Sequence, residues 1–372
     1  MKKIILHYPF IPTYRKAIFE LLNDDKDYEF TFLSDLKPKT DIKSADTSKL
    51  NVLRTKYIPF KVNKNSSVME IEFGVITRLI YLRSTHSVYV CLGSPNILTS
   101  WLYSLVARLL GYEVYFWTQG VNSRESGVKK LIRKLYLSIP NGLLLYGNRA
   151  DEILTELNLN TRRKVIYNSL DYDLQEIHRK ALDKEEVKNF RNADFSNNSI
   201  VITCMGRLHK KLNIKQAIEF SSKYNINSSR KIELQIIGDG PIRRELELLA
   251  KKLDVSVVFR GAVHDEGKLS IMYAISDASL ICGTVGLAAI HSLSYGIPVI
   301  THDDLDSHCP EVESIIDGKT GFYFQKNDFY SFSNCIGKLI DSSFVLHDNC
   351  IKEVQEKWSP RVQCRRILEA LG

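Results

Sequence analysis

Ser199-Ile200-Val201-Ile202-Thr203-Cys204-Met205-Gly206-Arg207-Leu208 opens the part of the chain that decides the fold. An apolar run rich in β-branched residues ends at a glycine, and a loop bearing Lys210 and Lys211 follows. A short run that is apolar at odd and even positions alike reads as a strand covered on both faces, as in a parallel sheet. The pattern then repeats. Residues 233–237 run into Gly238-Asp239-Gly240-Pro241, a strand is expected at 256–259, and 278–282 runs into Gly283-Thr284-Val285-Gly286. A short helix follows and stops at Gly296-Ile297-Pro298, the punctuation expected between a helix and the next strand at 298–301. Pro310-Glu311 then leads to Gly318-Lys319-Thr320-Gly321.

Toward the N-terminus the same alternation appears. Strands are expected at 3–7, 29–33, 87–92, 113–117 and 142–146, with helical periodicity at 14–22, 96–110, 127–138 and 148–157. Alternation of this kind implies parallel sheets wrapped by helices, with ligands at the carboxyl ends of the strands. The polar, lysine-rich segment 34–67 is expected to be a long loop with little regular structure. Asn168-Ser169-Leu170-Asp171 and the charged segment 173–196 mark the boundary. The expected division is a domain over 1–170, a second over 171–345, and a helical segment 346–372 returning to the first.

A chain of 372 residues, 44% hydrophobic and 25% charged, accommodates two globular domains. No run of eighteen apolar residues occurs, and Met1-Lys2-Lys3-Ile4-Ile5-Leu6 reads as a first strand rather than a signal peptide. The seven cysteines are scattered without a Cys-x-x-Cys pair, which suits a reducing cytoplasm and indicates neither zinc nor a disulfide framework. The net charge of +8 suits an anionic membrane surface or a diphosphate. No nucleic-acid-binding motif accompanies it, so no nucleic-acid partner is expected. Residues 129–137 form a basic, amphipathic stretch that reads either as a membrane-surface helix or as sheet cover with a charged outer face.

In their order and spacing, the landmarks of 202–324 resemble the C-terminal domain of the family 4 (group 1) retaining glycosyltransferases, those of bacterial surface-polysaccharide type. The resemblance implies an α/β GT-B fold: two Rossmann-like domains facing a cleft, the first binding acceptor and the second binding donor. It further implies a nucleotide-diphosphate sugar as co-substrate, no cofactor, no metal, and a glycan or lipid-linked glycan acceptor at the inner face of the cell membrane. Oligomeric state stays open.

Carried onto this chain, the resemblance makes Arg207 and one of Lys210 or Lys211 the grip on the diphosphate. Gly206, Gly283, Thr284, Val285, Gly286 and Leu287 then line the donor, with the helix from Leu287 presenting its positive end. The plain alternative is a solvated basic loop beside a βα turn. Two family positions differ. A Glu-x7-Glu pair that touches sugar and ribose is replaced by Gly283 and His291, which leaves His291 for the ribose hydroxyls and Glu311 as a substitute carboxylate. A His-Gly facing the donor sugar is replaced by Gln119-Gly120, so Gln119 joins Arg207, Lys210 and Lys211 in the expected catalytic set. Asn122, Tyr14 and Arg15 are expected on the acceptor side. The missing carboxylates keep two rivals open: a sugar-nucleotide epimerase, and a degenerate binder of sugar nucleotide or of a partner enzyme. Asp171-Tyr172-Asp173 and Asp304-Leu305-Asp306 read as solvated acids rather than metal ligands, and Gly238-x-Gly240-Pro241 lacks a dinucleotide fingerprint.

Overall fold

The computed structural model describes residues 1–38, 42–61 and 68–372. The chain forms two compact units, Met1–Asp171 with Pro360–Gly372, and Tyr172–Ser359.

The first unit begins β1 (Lys2–His7), α1 (Lys16–Asn23), β2 (Tyr28–Ser34), β3 (Val52–Arg54), β4 (Lys56–Lys61) and β5 (Val68–Phe73). It continues α2 (Val75–Leu82), β6 (Val88–Leu92), α3 (Leu98–Leu109), β7 (Glu113–Thr118), α4 (Gly127–Leu137), β8 (Gly142–Leu145), α5 (Asn148–Glu156) and β9 (Arg162–Val165). Seven strands make one sheet in the order β3-β2-β1-β6-β7-β8-β9, and its neighbours run parallel throughout. β4 and β5 pair with each other as an antiparallel hairpin. Ile5, Tyr89 and Phe116 fill one face of the sheet and Ile4, Val90 and Trp117 the other, the two-sided burial that a parallel sheet requires.

The second unit holds α6 (Tyr172–Lys180), α7 (Lys184–Asp194), β10 (Ile200–Met205), α8 (Ile214–Asn227), β11 (Ile232–Ile237), α9 (Arg243–Lys252) and β12 (Val257–Gly261). It continues α10 (Glu266–Ala274), β13 (Ala278–Ile281), α11 (Leu287–Ser294), β14 (Val299–His302), β15 (Gly321–Phe324) and α12 (Phe329–Glu353). A last helix, α13 (Pro360–Leu371), returns to the first unit. The second sheet runs β12-β11-β10-β13-β14-β15, again all parallel. The chain winds outward from β10 through β11 and β12, then restarts on the other side at β13. The switch point therefore lies between β10 and β13, where doubly wound sheets open their binding crevice.

Several expectations change. The segment 34–67 is not one loop: β3 and β4 lie in it, while 39–41 and 62–67 fall outside the described residues. The charged segment 173–196, expected at the boundary and within the second domain, holds the helices α6 and α7 that open the second unit. A boundary at 345/346 would cut α12 mid-helix; the chain instead crosses back at Pro360. No described helix is long and apolar enough to cross a membrane.

Candidate functional site

Three loops of the second unit interlock at the switch point. After β10, Gly206-Arg207-Leu208-His209 leads into a 3-10 turn at Lys210–Leu212. The Leu208 amide donates to Asp239 O of the neighbouring loop at 2.9 Å, and the Gly206 amide to Ile237 O at 2.9 Å. The loops approach so closely that a Cβ at Gly238 would stand 1.9 Å from Gly206 O, and a Cβ at Gly283 would stand 2.0 Å from Lys211 O. No side chain fits at either place. The glycine at 283 is thus explained by backbone packing, not by an approach to ligand, and the carboxylate of the family pattern has no room there.

Above this junction Arg207, Lys210 and Lys211 are all exposed. Lys210 and Lys211 make no ion pair among the described residues. α11 begins at Gly286 with no capping side chain and no acidic residue in its first turn, and open space surrounds the position a Gly286 Cβ would take. Uncapped amides at a helix start carry partial positive charge. Thr284 is exposed and Leu287 half-buried beside them. Cations and free amides converge on one edge of one unit, an arrangement suited to a multiply charged anion.

A pair of histidines that sequence reading did not single out holds this turn. The Val285 amide donates to His308 Nδ1 at 3.0 Å, while His308 Nε2 donates to His302 O at 2.9 Å. Those partners fix the neutral Nε2–H tautomer. The Cys309 amide donates to Val285 O at 3.0 Å, and the Val285 side chain is fully buried. The expectation that Val285 contacts donor is therefore corrected: its amide, carbonyl and side chain are all committed internally. The His302 and His308 rings stack at 4.2 Å. Burial, and next His308, push His302 down to about 4; burial also lowers His308, partly opposed by its bond to the His302 carbonyl. Only the six-residue separation of the two histidines hinted at this, and it gains meaning only once β14 is placed.

His291 is likewise engaged. Its Nε2 lies 2.8 Å from Glu266 Oε1, the Tyr295 hydroxyl donates to the same oxygen at 2.8 Å, and its ring lies against Tyr273 and Tyr295. Burial disfavours ionised Glu266, but bonds from His291 and Tyr295 outweigh it and hold the carboxyl below its ordinary value. The Nε2 of the expected ribose ligand is thus engaged inside the second unit by Glu266. Glu311 sits on a five-residue 3-10 turn, Pro310–Ser314, and is buried. Of the two acidic triplets, Asp304 is bound by Lys326 at 2.6 Å. No group of three potential metal-ligating side chains occurs among the described residues.

In the first unit, Gln119 is exposed just beyond β7, and Asn122 Nδ2 donates to its Oε1 at 3.0 Å. Tyr14 is exposed, whereas Arg15 is 2% exposed. Arg15 Nη1 donates to Asn168 Oδ1, Nη2 donates to the Tyr146 hydroxyl at 2.7 Å, and the guanidinium lies over the Tyr146 and Trp117 rings. The expectation of an acceptor contact at Arg15 is corrected: it is a buried strut tying the turn before α1 to the end of the unit.

Residues 185–357 match the family model described as glycosyl transferases group 1. The match falls within the unit that carries the interlocked loops. Solved structures resemble the whole chain. HepE from Anabaena in complex with UDP aligns with a TM-score of 0.72 at 14% identity, covering 100% of this chain and 99% of that one. The apo form of the lipopolysaccharide outer core galactosyltransferase WaaB aligns at 0.70 and 14%, covering 99% of both chains. A TarM mutant from S. aureus, in complex with fondaparinux, α-GlcNAc-glycerol and UDP, aligns at 0.67 and 12%, again covering 99% of both. Such likeness shows the fold, which is GT-B. Among curated proteins nothing matches. The likeness read from 202–324 is thus matched by a family model over 185–357, and the expected GT-B fold is shown.

Proposed function

We propose that this chain, with its group 1 glycosyl transferase segment, moves a sugar from a nucleotide-diphosphate donor to a glycan or lipid-linked glycan acceptor, with retention of configuration and without a metal. The observation that carries the reading is the convergence of Arg207, Lys210, Lys211 and the uncapped start of α11 over the interlocked glycine loops. Departure of a nucleoside diphosphate places growing negative charge on its terminal phosphate. Preorganised cations and amides stabilise that charge more in the transition state than in the bound donor. In a retaining transfer the acceptor hydroxyl attacks from the face the diphosphate leaves. The C–O bond to phosphate breaks as the new glycosidic bond forms, and the hydroxyl proton passes to the departing phosphate oxygen. No protein carboxylate need act as nucleophile, so the chemistry tolerates Gly283. A basic α4 suits a cytoplasmic enzyme working against an anionic membrane on a surface-glycan precursor.

One observation favours a second reading, a binder without turnover: neither position of the family's carboxylate pair carries a carboxylate here, since Gly283 has no room for a side chain and His291 directs its Nε2 to Glu266. UDP release from UDP-glucose and related UDP sugars, followed with and without a lipid-linked glycan acceptor, decides between them. Acceptor-dependent release supports transfer. Binding without release supports the second reading, and an epimerised donor would sink both.

A further inference from the structure

The outer side of α3 carries leucines where a sheet-covering helix normally carries polar groups. Leu98, Leu102, Leu105 and Leu109 form one stripe at spacings of four, three and four, and all are exposed, Leu109 at 88%. The buried side of the same helix is Ser100, Tyr103, Ser104 and Ala107. The helix is inverted, with its most apolar side turned from the core. α4 repeats this: Val128, Leu131, Ile132 and Leu135 are exposed, while only Tyr136 and Leu137 are buried. The helices are neighbours. The Trp101 and Tyr136 rings lie 4.7 Å apart, the Ser100 and Tyr136 hydroxyls bond at 2.8 Å, and Arg108 donates to Ile139 O at 2.8 Å. Neighbouring helices of one unit thus each carry an exposed apolar ridge, a feature that marks an interaction surface.

Charge selects the occupant. Lys129, Lys130 and Lys134 flank the α4 ridge. Glu125 engages Lys129 and Arg133 at 2.9 and 2.8 Å, whereas Lys130 and Lys134 make no ion pair among the described residues. An apolar ridge edged by lysines matches the depth profile of an anionic bilayer, acyl chains beneath and phosphate headgroups at the rim. We propose that α3 and α4 form one membrane-inserting face whose occupant is an anionic lipid bilayer, the α3 leucines being the part that enters. The inference rests on the membrane contact proposed above and is independent of which sugar moves. A basic helix alone would only adsorb and would wash off in salt. The α3 ridge adds a component that salt does not screen.

Sedimentation with phosphatidylglycerol–phosphatidylcholine vesicles tests this at about 0.1 M and about 1 M salt, between which the screening length falls from roughly 10 Å to 3 Å. Wild type should retain measurable binding at the higher salt. Leu102→Ser with Leu105→Ser should lose that remainder, at least roughly tenfold in partition, since each leucine withdrawn from water contributes about that factor. Lys130→Gln with Lys134→Gln should instead lose the low-salt preference for anionic over pure phosphatidylcholine vesicles and keep the salt-resistant part. UDP binding in both variants should match wild type, which separates failure of this inference from failure of the transferase reading. Unchanged sedimentation of the leucine variant overturns the proposal, as does wild-type binding that vanishes completely in salt. A lipid-free dimer that the leucine variant converts to monomer overturns it in favour of a second copy of the chain.

Discussion

Arg207 is exposed at the edge of the switch point and gains its meaning from what surrounds it. Arg207→Ala should weaken binding of the proposed nucleotide-sugar donor tenfold to a hundredfold, about 1.5–3 kcal/mol for a charge-assisted contact, as read by titration calorimetry. Gly283→Ala tests the packing account, because its Cβ would meet Lys211 O. It should lower the melting temperature and loosen donor together, whereas a glycine needed only for ligand approach would leave the melt unchanged. His291→Ala should act mainly on stability, costing roughly 1–3 kcal/mol by leaving Glu266 buried with a lost partner. If it weakens donor without moving the melt, the sequence reading of His291 as ribose ligand regains its case. That reading had only the residue's place in a helix to use. Glu266, twenty-five residues earlier, is invisible until α10 and α11 are placed side by side. Arg207, Lys210 and Lys211 could be named as candidates because they follow a strand and a glycine directly, with no distant partner needed to suggest a role.

Elements with a regular apolar period were legible, and those without one were not. β10 and β11 announce themselves as near-continuous apolar runs, every residue of β11 being buried. β3 and β4 hold few buried residues, and α7 holds none, so no apolar period betrays them. A local cue did exist for α7: Asp183 accepts from the amides of Glu185 and Glu186, a helix start written in the sequence. The inversion of α3 was hidden because periodicity gives the stripe but not the side that faces the sheet. At this scale the His308 brace makes a pH prediction. Both histidines have folded values below the ordinary 6.5, so between that value and about 4 the unfolded chain binds more protons than the folded one. Stability is thus fully present above about 6.5 and declines as pH falls toward 4. Protonated His308 would also turn an N–H against the Val285 amide, so affinity for the proposed nucleotide-sugar donor should fall over the same window. His308→Gln should flatten the pH dependence of binding; a dependence unchanged in that variant would remove the brace from the account.

For the whole molecule, acceptor-dependent turnover that persists in EDTA is expected if Arg207, the lysines and the α11 amides carry the leaving group, and loss of turnover on chelation would assign that task elsewhere. The two-sheet plan and the first seam near residue 171 were readable from the sequence, but the residue of the final crossing was not, because it depends on which core accepts α13. Cys364, Ile367 and Leu371 belong to the core around β1 and β2, and Gln363 bonds Ser169 and Tyr167 O at 2.6 and 2.5 Å. Removing residues 360–372 should therefore destabilise the first unit by several kcal/mol, at roughly 1.5–3 kcal/mol per large apolar side chain, while the second unit keeps its own core. Limited proteolysis of that truncation should cut in the first unit before the second. The arrangement also sets a timetable in the cell. The first sheet leaves the ribosome early, yet the helix that seals it lies beyond the 188 residues from Tyr172 to Ser359. At about 5–20 residues per second, that stretch takes roughly 10–40 s to synthesise. For that interval the nascent chain carries an unsealed apolar face, and the portion made second is the first able to finish folding.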